Sequence, residues 1–170
     1  MQIRFAGIGG QGVVLAGVIL GEAAAIEGLR VLQTQDYSSA SRGGHSIADV
    51  IISDGEIYDL MVTHADVLVA LHQLGYETAK SKLKPDGLLI IDTDLVKPDR
   101  DFVGAPFTRI AEETTGLALT VNMVALGYLI AKTGIVKPES VEEAIRRRVP
   151  KGTEEINLRA FRKGLEVGKE

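Results

Sequence analysis

Gly7-Ile8-Gly9-Gly10-Gln11-Gly12, followed at once by the apolar run Val13 to Ala25, is the stretch that decides how this chain is read. Ile3 to Ala6, just before it, has the composition of a short buried strand. A strand, a glycine turn and a helix in that order leave backbone N–H groups free at the helix start, where the helix dipole adds partial positive charge. Such a turn can hold an anion such as a phosphate. Glycine suits it, because glycine takes positive φ and lets a ligand approach the main chain. Gly7, Gly9 and Gly12 also fit the G-x-G-x-x-G spacing of dinucleotide sites. A tight strand-to-helix turn with no ligand fits the same residues.

Outward from that turn, the first strand covers roughly residues 2–7 and the first helix roughly 11–27, ended by Gly28. Ala16, Gly17, Gly21, Ala23, Ala24 and Ala25 allow this helix to lie close against a sheet. Arg30 to Gln35 reads as the second strand, completing a unit suited to a parallel crossover. Asp36 to Gly44 is polar, serine-rich and closed by two glycines, which predicts a loop. His45 to Ser53 predicts a strand, Asp54-Gly55 a hairpin turn, and Glu56 to Leu60 its return strand. Asp66 to Leu71 and Gly87 to Asp92 read as buried strands, separated by a helix over 73–83 and a turn at Lys84-Pro85-Asp86-Gly87. A short edge strand is expected near Phe102 to Ala105, and a helix over Phe107 to Thr115 that Gly116 ends. The last third is helical: Val121 to Lys132, a helix opened by Pro138, and Glu154 to Val167. Arg146, Arg147 and Arg148 suit the C-terminal end of the second of these. The fold class expected is α/β, a three-layer Rossmann-like sandwich with a mixed, mostly parallel sheet, as a single domain over 1–170.

Composition narrows the function. The 170 residues suit one domain with a substantial core. A formal charge of −4 argues against a nucleic-acid footprint. With no cysteine, the chain makes no disulfide and offers no thiolate to an iron–sulfur cluster. Glu22 and Glu27 interrupt the longest apolar candidate for a membrane span. The N-terminus lacks a signal-peptide layout, so a cytoplasmic location is expected.

Four features are candidates for chemistry. The first is the turn Gly9, Gly10, Gln11 and Gly12, where the Gln11 amide both donates and accepts. The second is Arg42-Gly43-Gly44, since an arginine on a glycine-flanked loop makes forked contacts to phosphate or carboxylate. In this topology the loop after strand two emerges at the same carboxyl edge as the glycine turn. The third is His45, His64 and His72, whose spacing matches no metal motif and which read as structural or surface groups. The fourth is Asn122, readable as a helix N-cap or as a ligand contact. Catalytic signatures are missing: there is no G-x-S-x-G elbow and no G-K-[ST] after the glycine turn. Asp36 stands near the place of the acidic residue of a classical NAD site, but the chain leaves no room for a separate substrate domain. A small nucleotide- or NAD-dependent oxidoreductase acting alone and a non-catalytic interaction subunit both remain open at this point.

The motifs taken together carry a resemblance. G-I-G-G-Q-G-V-V-L-A-G at 7–17, Q-T-Q-x-Y at 33–37, S-R-G-G at 41–44, V-I-I-S-D at 50–54, D-V-L-V-A-L at 66–71, N-M-V-A-L-G at 122–127 and N-L-x-A-F-x-x-G at 157–164 occur in order along nearly the whole chain. In this the chain resembles the gamma subunit of 2-oxoacid:ferredoxin oxidoreductases, and its Q-T-Q-x-Y stretch is most similar to the 2-oxoglutarate type. Ser38 to Ser41 departs from that type, which more often reads Gly-Pro-Glu-Ala there. The resemblance implies a subunit of an enzyme that oxidatively decarboxylates a 2-oxoacid to acyl-CoA and CO2 and reduces ferredoxin. It implies alpha, beta and delta partner subunits, with thiamine diphosphate and iron–sulfur clusters bound in the partners and not by this chain. It also implies that Gly9, Gly10, Gln11 and Gly12 form a backbone cradle for coenzyme A, that Arg42, Gly43 and Gly44 form an anion clamp, and that Asn122 is a secondary contact. No residue of this chain is assigned a proton-transfer role.

Overall fold

The computed structural model describes residues 1–37 and 44–170. Six strands form one sheet in the order β2-β3-β1-β4-β5-β6: β1 (Gln2–Ile8), β2 (Arg30–Tyr37), β3 (His45–Ser53), β4 (Ala65–Ala70), β5 (Leu83–Asp92) and β6 (Val103–Ala105). Strand β3 is antiparallel to both its neighbours, whereas β1, β4, β5 and β6 pair in parallel. This is the expected mixed sheet.

Alternation along the strands sends side chains to two separate cores. Ile3, Phe5, Ala48, Val50, Val67 and Val69 face the larger one, shared with α1 (Val13–Ile26), α3 (Phe107–Thr115), α4 (Val121–Thr133), α5 (Pro138–Arg148) and α6 (Glu154–Gly168). Ala6, Ile47, Ile51, Leu68, Leu89 and Ile91 face the smaller, built around α2 (Gln73–Ala79) and the fully buried Tyr76. Helices therefore lie on both faces, as a three-layer sandwich requires.

The small residues of α1 act as expected. A Cβ at Gly17 would stand 3.1 Å from Ala48 Cβ, and one at Gly21 would collide with the Gln33 amide. Gly28, at φ 81°, follows the end of this helix, and Gly116, at φ 76°, ends α3. Helices α4 and α6 meet backbone to backbone: a Cβ at Gly127 would strike the Phe161 carbonyl oxygen, and one at Gly164 that of Val124. Helix α5 starts with Pro138 in its first turn, as the sequence predicts.

Several expectations need correcting. The first and second strands run the same way, but β3 lies between them, so β1-α1-β2 is not a crossover between neighbours. Strand β2 continues through Asp36 to Tyr37, into what read as loop. Glu56 to Leu60 forms no return strand. The reason is topological: both edges of β3 are already taken by β1 and β2, so a hairpin partner has nowhere to pair. Lys84 to Gly87 is not a turn between elements but the opening of β5, where the pairing with β4 slips between Ala65↔Leu83 and Val67↔Leu88. Arg100 satisfies the carbonyls freed there, donating to Lys84 at 3.0 Å and Pro85 at 3.0 Å. Helix α2 stops at Ala79 and tightens into a 3-10 turn over Lys80–Lys82. The Arg146–Arg148 run does more than sit at a helix end: Arg147 and Arg148 both pair with Glu22 of α1, at 3.1 and 2.6 Å, tying α5 to the first helix.

Candidate functional site: the carboxyl rim of the sheet

Three helices directly follow a strand at the carboxyl edge: α1 after β1, α2 after β4 and α3 after β6. Each begins with backbone N–H groups that need acceptors. In α2 the need is met by His72, whose Nδ1 accepts from Leu74 N–H at 3.1 Å. In α3 it is met from outside the helix by Asp92, the last residue of β5. Its completely buried carboxylate accepts from Thr108 N–H at 2.9 Å and Thr108 Oγ1 at 2.6 Å. Helix α1 differs: its cap is Gly12 at φ 70°, and no side chain among the described residues caps it. Of the three helix starts, α1 alone has no side-chain acceptor among the described residues, which leaves its positive end available to an external anion.

The turn before α1 is held from three sides. Gln11 folds its side chain inward: Oε1 accepts from Ile8 N–H at 2.9 Å and Nε2 donates to the Leu71 carbonyl at 3.0 Å. The side-chain amide thus joins the ends of β1 and β4 and is not offered to a ligand, contrary to what its position suggests. The backbone N–H of Gln11 donates to the Ile8 carbonyl at 3.3 Å, and that of Gly9 to the Gly44 carbonyl at 3.2 Å. Gly10 (φ 90°) and Gly12 keep N–H groups with no acceptor among the described residues. The cradle expected over Gly9, Gly10, Gln11 and Gly12 therefore narrows, as a set of outward donors, to Gly10, Gly12 and the first turn of α1. Gly9 and Gly10 are exposed, and a Cβ built on either meets nothing within 4 Å among the described residues.

Asn122 lies behind the turn. It is buried, on the first turn of α4; its Nδ2 donates to the Gly12 carbonyl at 3.1 Å and its Oδ1 accepts from Met123 N–H at 2.9 Å. It is not the N-cap of α4, a place taken by Thr120. Nor does it present its amide at the rim; it positions Gly12, and a Cβ on Gly12 would collide with it.

Gly44 joins the same rim through its bond to Gly9, opposite the end of β1, where Ile8 pairs with His45. Strand β2 ends at Tyr37, paired with Ser46 of β3, so of the two ends of the 38–43 segment the Gly44 end is the one that meets the glycine turn. Arg42 and Gly43 themselves lie outside the described residues. Asp36 stands 3.5 Å from His45 Nε2. Beside α3, the Arg109 guanidinium grips Asp94 with bonds of 3.0 and 2.7 Å and holds its carboxyl below the ordinary range. That arginine is committed within the chain. His64 is exposed beside Thr63, and no group of His, Cys, Asp and Glu among the described residues is arranged to hold a metal. The sequence reading missed Asp92 as the anchor of α3. Its signal was an acid closing a buried strand ahead of a helix whose own N-cap, Pro106, has no side-chain acceptor.

A strand, an uncapped glycine turn and a close-packed helix at the carboxyl edge place the chain among α/β domains with a Rossmann-like first βα unit. Residues 2–167 match the pyruvate ferredoxin/flavodoxin oxidoreductase family, and the chain belongs to that family. It is 47% identical to the 2-oxoglutarate synthase subunit KorC of Methanocaldococcus jannaschii, over 99% of this chain and 94% of that one. It is 35% identical to the pyruvate/ketoisovalerate oxidoreductases common subunit gamma of Pyrococcus abyssi, over 98% and 96%. Among solved structures it superposes on the keto/oxoacid ferredoxin oxidoreductase gamma subunit of Geobacter sulfurreducens with a TM-score of 0.85 at 39% identity, covering 98% and 97% of the two chains. It also matches the 2-oxoglutarate:ferredoxin oxidoreductase of Magnetococcus marinus, solved with 2-oxoglutarate, coenzyme A and succinyl-CoA bound. There the TM-score is 0.87 at 26% identity, over 99% of this chain but 31% of that one.

Proposed function

We propose that this chain is the gamma subunit of a 2-oxoglutarate-type 2-oxoacid:ferredoxin oxidoreductase, and that its carboxyl rim holds an anionic part of coenzyme A. The identity to KorC subunits favours 2-oxoglutarate over pyruvate: 47% against 35% for the pyruvate/ketoisovalerate relative. A stand-alone nicotinamide enzyme is disfavoured by that kinship. In this reading alpha, beta and delta subunits complete the enzyme. Thiamine diphosphate supplies the decarboxylation chemistry there and iron–sulfur clusters carry electrons to ferredoxin, consistent with a chain that has no cysteine.

The observation that carries the coenzyme role is the start of α1, uncapped among the described residues, exposed at Gly9 and Gly10 and flanked by Gly44. The N–H groups of Gly10 and Gly12 and the first turn of α1 face the anion; Arg42, with Gly43 and Gly44, closes on it from the side. Asn122 contributes by fixing Gly12. This chain binds and orients, and moves no proton.

Two variants of the assembled enzyme test the reading. Gly9→Ala adds a methyl group at the rim where no atom among the described residues opposes it. Arg42→Ala removes a charged hydrogen bond worth about 1.5–3 kcal/mol. Each should raise the apparent KM for coenzyme A about tenfold or more while leaving complex assembly and the KM for the 2-oxoacid unchanged. Unaltered coenzyme A dependence in both variants refutes the coenzyme role and leaves the family membership untouched.

A further inference from the structure

The two edges of the sheet are not finished alike. Strand β6 closes one side with three residues, the usual way of making an edge a poor template for another chain. Strand β2 closes the other with eight, Arg30-Val31-Leu32-Gln33-Thr34-Gln35-Asp36-Tyr37, without a proline, a lysine or a bulge. None of Arg30 to Asp36 is buried. The segment beside this edge carries the most exposed large apolar side chains of the described protein, Tyr58 at 87% and Leu60 at 81%. Two clefts of about 350 and 450 Å3 lie against β2, and Leu60 lines both.

The charges along β2 say what covers it. Arg30, Leu32, Thr34 and Asp36 share one face of the strand, because they pair with Ser53, Ile51, Asp49 and Ile47 of β3 in turn. A second copy of β2, laid antiparallel about a two-fold axis through Gln33, sets Arg30 opposite the other copy's Asp36, and Asp36 opposite its Arg30. Leu32 then faces Thr34, and the cleft at the Arg30 end of one copy meets the cleft at the Asp36 end of the other. We propose that two copies of this chain pair in this way, edge to edge through β2, joining their sheets into one. Arg30 at present pairs with Glu56 at 3.0 Å, and since both side chains are exposed the pair gives way at little cost. Asp36 is itself exposed and stands 3.5 Å from the buried Nε2 of His45 without a hydrogen bond to it. The pairing is independent of the coenzyme rim, and its failure would leave that reading standing.

The test is the association state of the full chain by analytical ultracentrifugation, with circular dichroism to show that each variant is folded. The wild-type chain should form a dimer in the micromolar range. Arg30→Glu, which opposes like charges at both ends of the paired strands, should raise the dimer dissociation constant about tenfold. Adding Asp36→Arg to it exchanges the signs and should restore the wild-type value within about twofold, since both pairs are re-formed. Gln33→Cys, in a chain with no cysteine of its own, should give a covalent dimer on oxidation. A monomeric wild-type chain overturns the proposal, as does a dimer indifferent to Arg30→Glu or not restored by the exchange. Protection of β2 amides from hydrogen exchange only after another subunit of the complex is added assigns the edge to that subunit and equally overturns it.

Discussion

Gln11 is the residue on which the structural account of the rim is easiest to break. At the mouth of a glycine turn its amide looks like a ligand contact, yet its carbonyl oxygen accepts from Ile8 N–H at 2.9 Å and its nitrogen donates to the Leu71 carbonyl at 3.0 Å. It is a brace between the ends of β1 and β4. Gln11→Ala removes both bonds and leaves two partly buried main-chain groups to find water, a loss of about 1–3 kcal/mol. For a domain of this size that lowers the melting temperature by about 3–10 °C. Gln11→Glu separates the brace from simple packing. The carboxylate still accepts from Ile8, but its second oxygen confronts the Leu71 carbonyl where a donor stood. The new carboxyl therefore has its pKa raised in the folded state. Its penalty is absent below the unfolded value of about 4.3 and grows as pH rises from there through the folded value. Thermal melts of the three proteins near pH 4.5 and pH 7.5 should show Gln11→Glu below the wild type at pH 7.5 and much closer to it in acid, with Gln11→Ala low at both. If both variants melt within about 1 °C of the wild type at neutral pH, the brace contributes nothing and the side chain is free for a ligand.

Three further outcomes are expected. Gly164→Ala drives a Cβ into the Val124 carbonyl where α6 crosses α4; urea unfolding should show a loss of more than about 3 kcal/mol, while Gly9→Ala in the same assay stays at the wild-type midpoint. Asp92→Ala uncaps α3 and strands Thr108, so the chain should lose about 3 kcal/mol in the same measurement, with Asp92→Asn recovering part of it. In acid, Asp99 is held at about 2 by the Tyr76 hydroxyl and then Lys80. Its contribution is complete above the ordinary value of 3.8 and is lost as pH falls through about 2. Melting temperature against pH should therefore fall less steeply below pH 4 for Asp99→Asn than for the wild type; parallel curves refute the contribution.

The local elements were legible in the chain because their causes are local. Glycines at 9, 10 and 12 before an apolar, small-residue run specify a strand-turn-helix unit, and Gly28, Gly116 and Pro138 mark helix ends by their own backbone preferences. The order of motifs from Gly7 to Gly164 was enough for the family, later matched over residues 2–167. What the chain could not show is who sits beside whom. Asp54-Gly55 has the composition of a hairpin turn, but the hairpin is forbidden because β1 and β2 occupy both sides of β3. Gln11 and Asn122 have ligand-like amides, and only tertiary contacts 60 and 110 residues away commit them to Leu71 and Gly12. The same holds for Asp92, whose carboxylate closes a helix it does not belong to. Sequence by itself determined most of the elements, the family and the glycine turn. Tertiary structure decided which polar groups are already satisfied within the chain and that the start of α1 has no side-chain cap among the described residues, because hydrogen-bond partners brought together by folding are invisible to any local pattern.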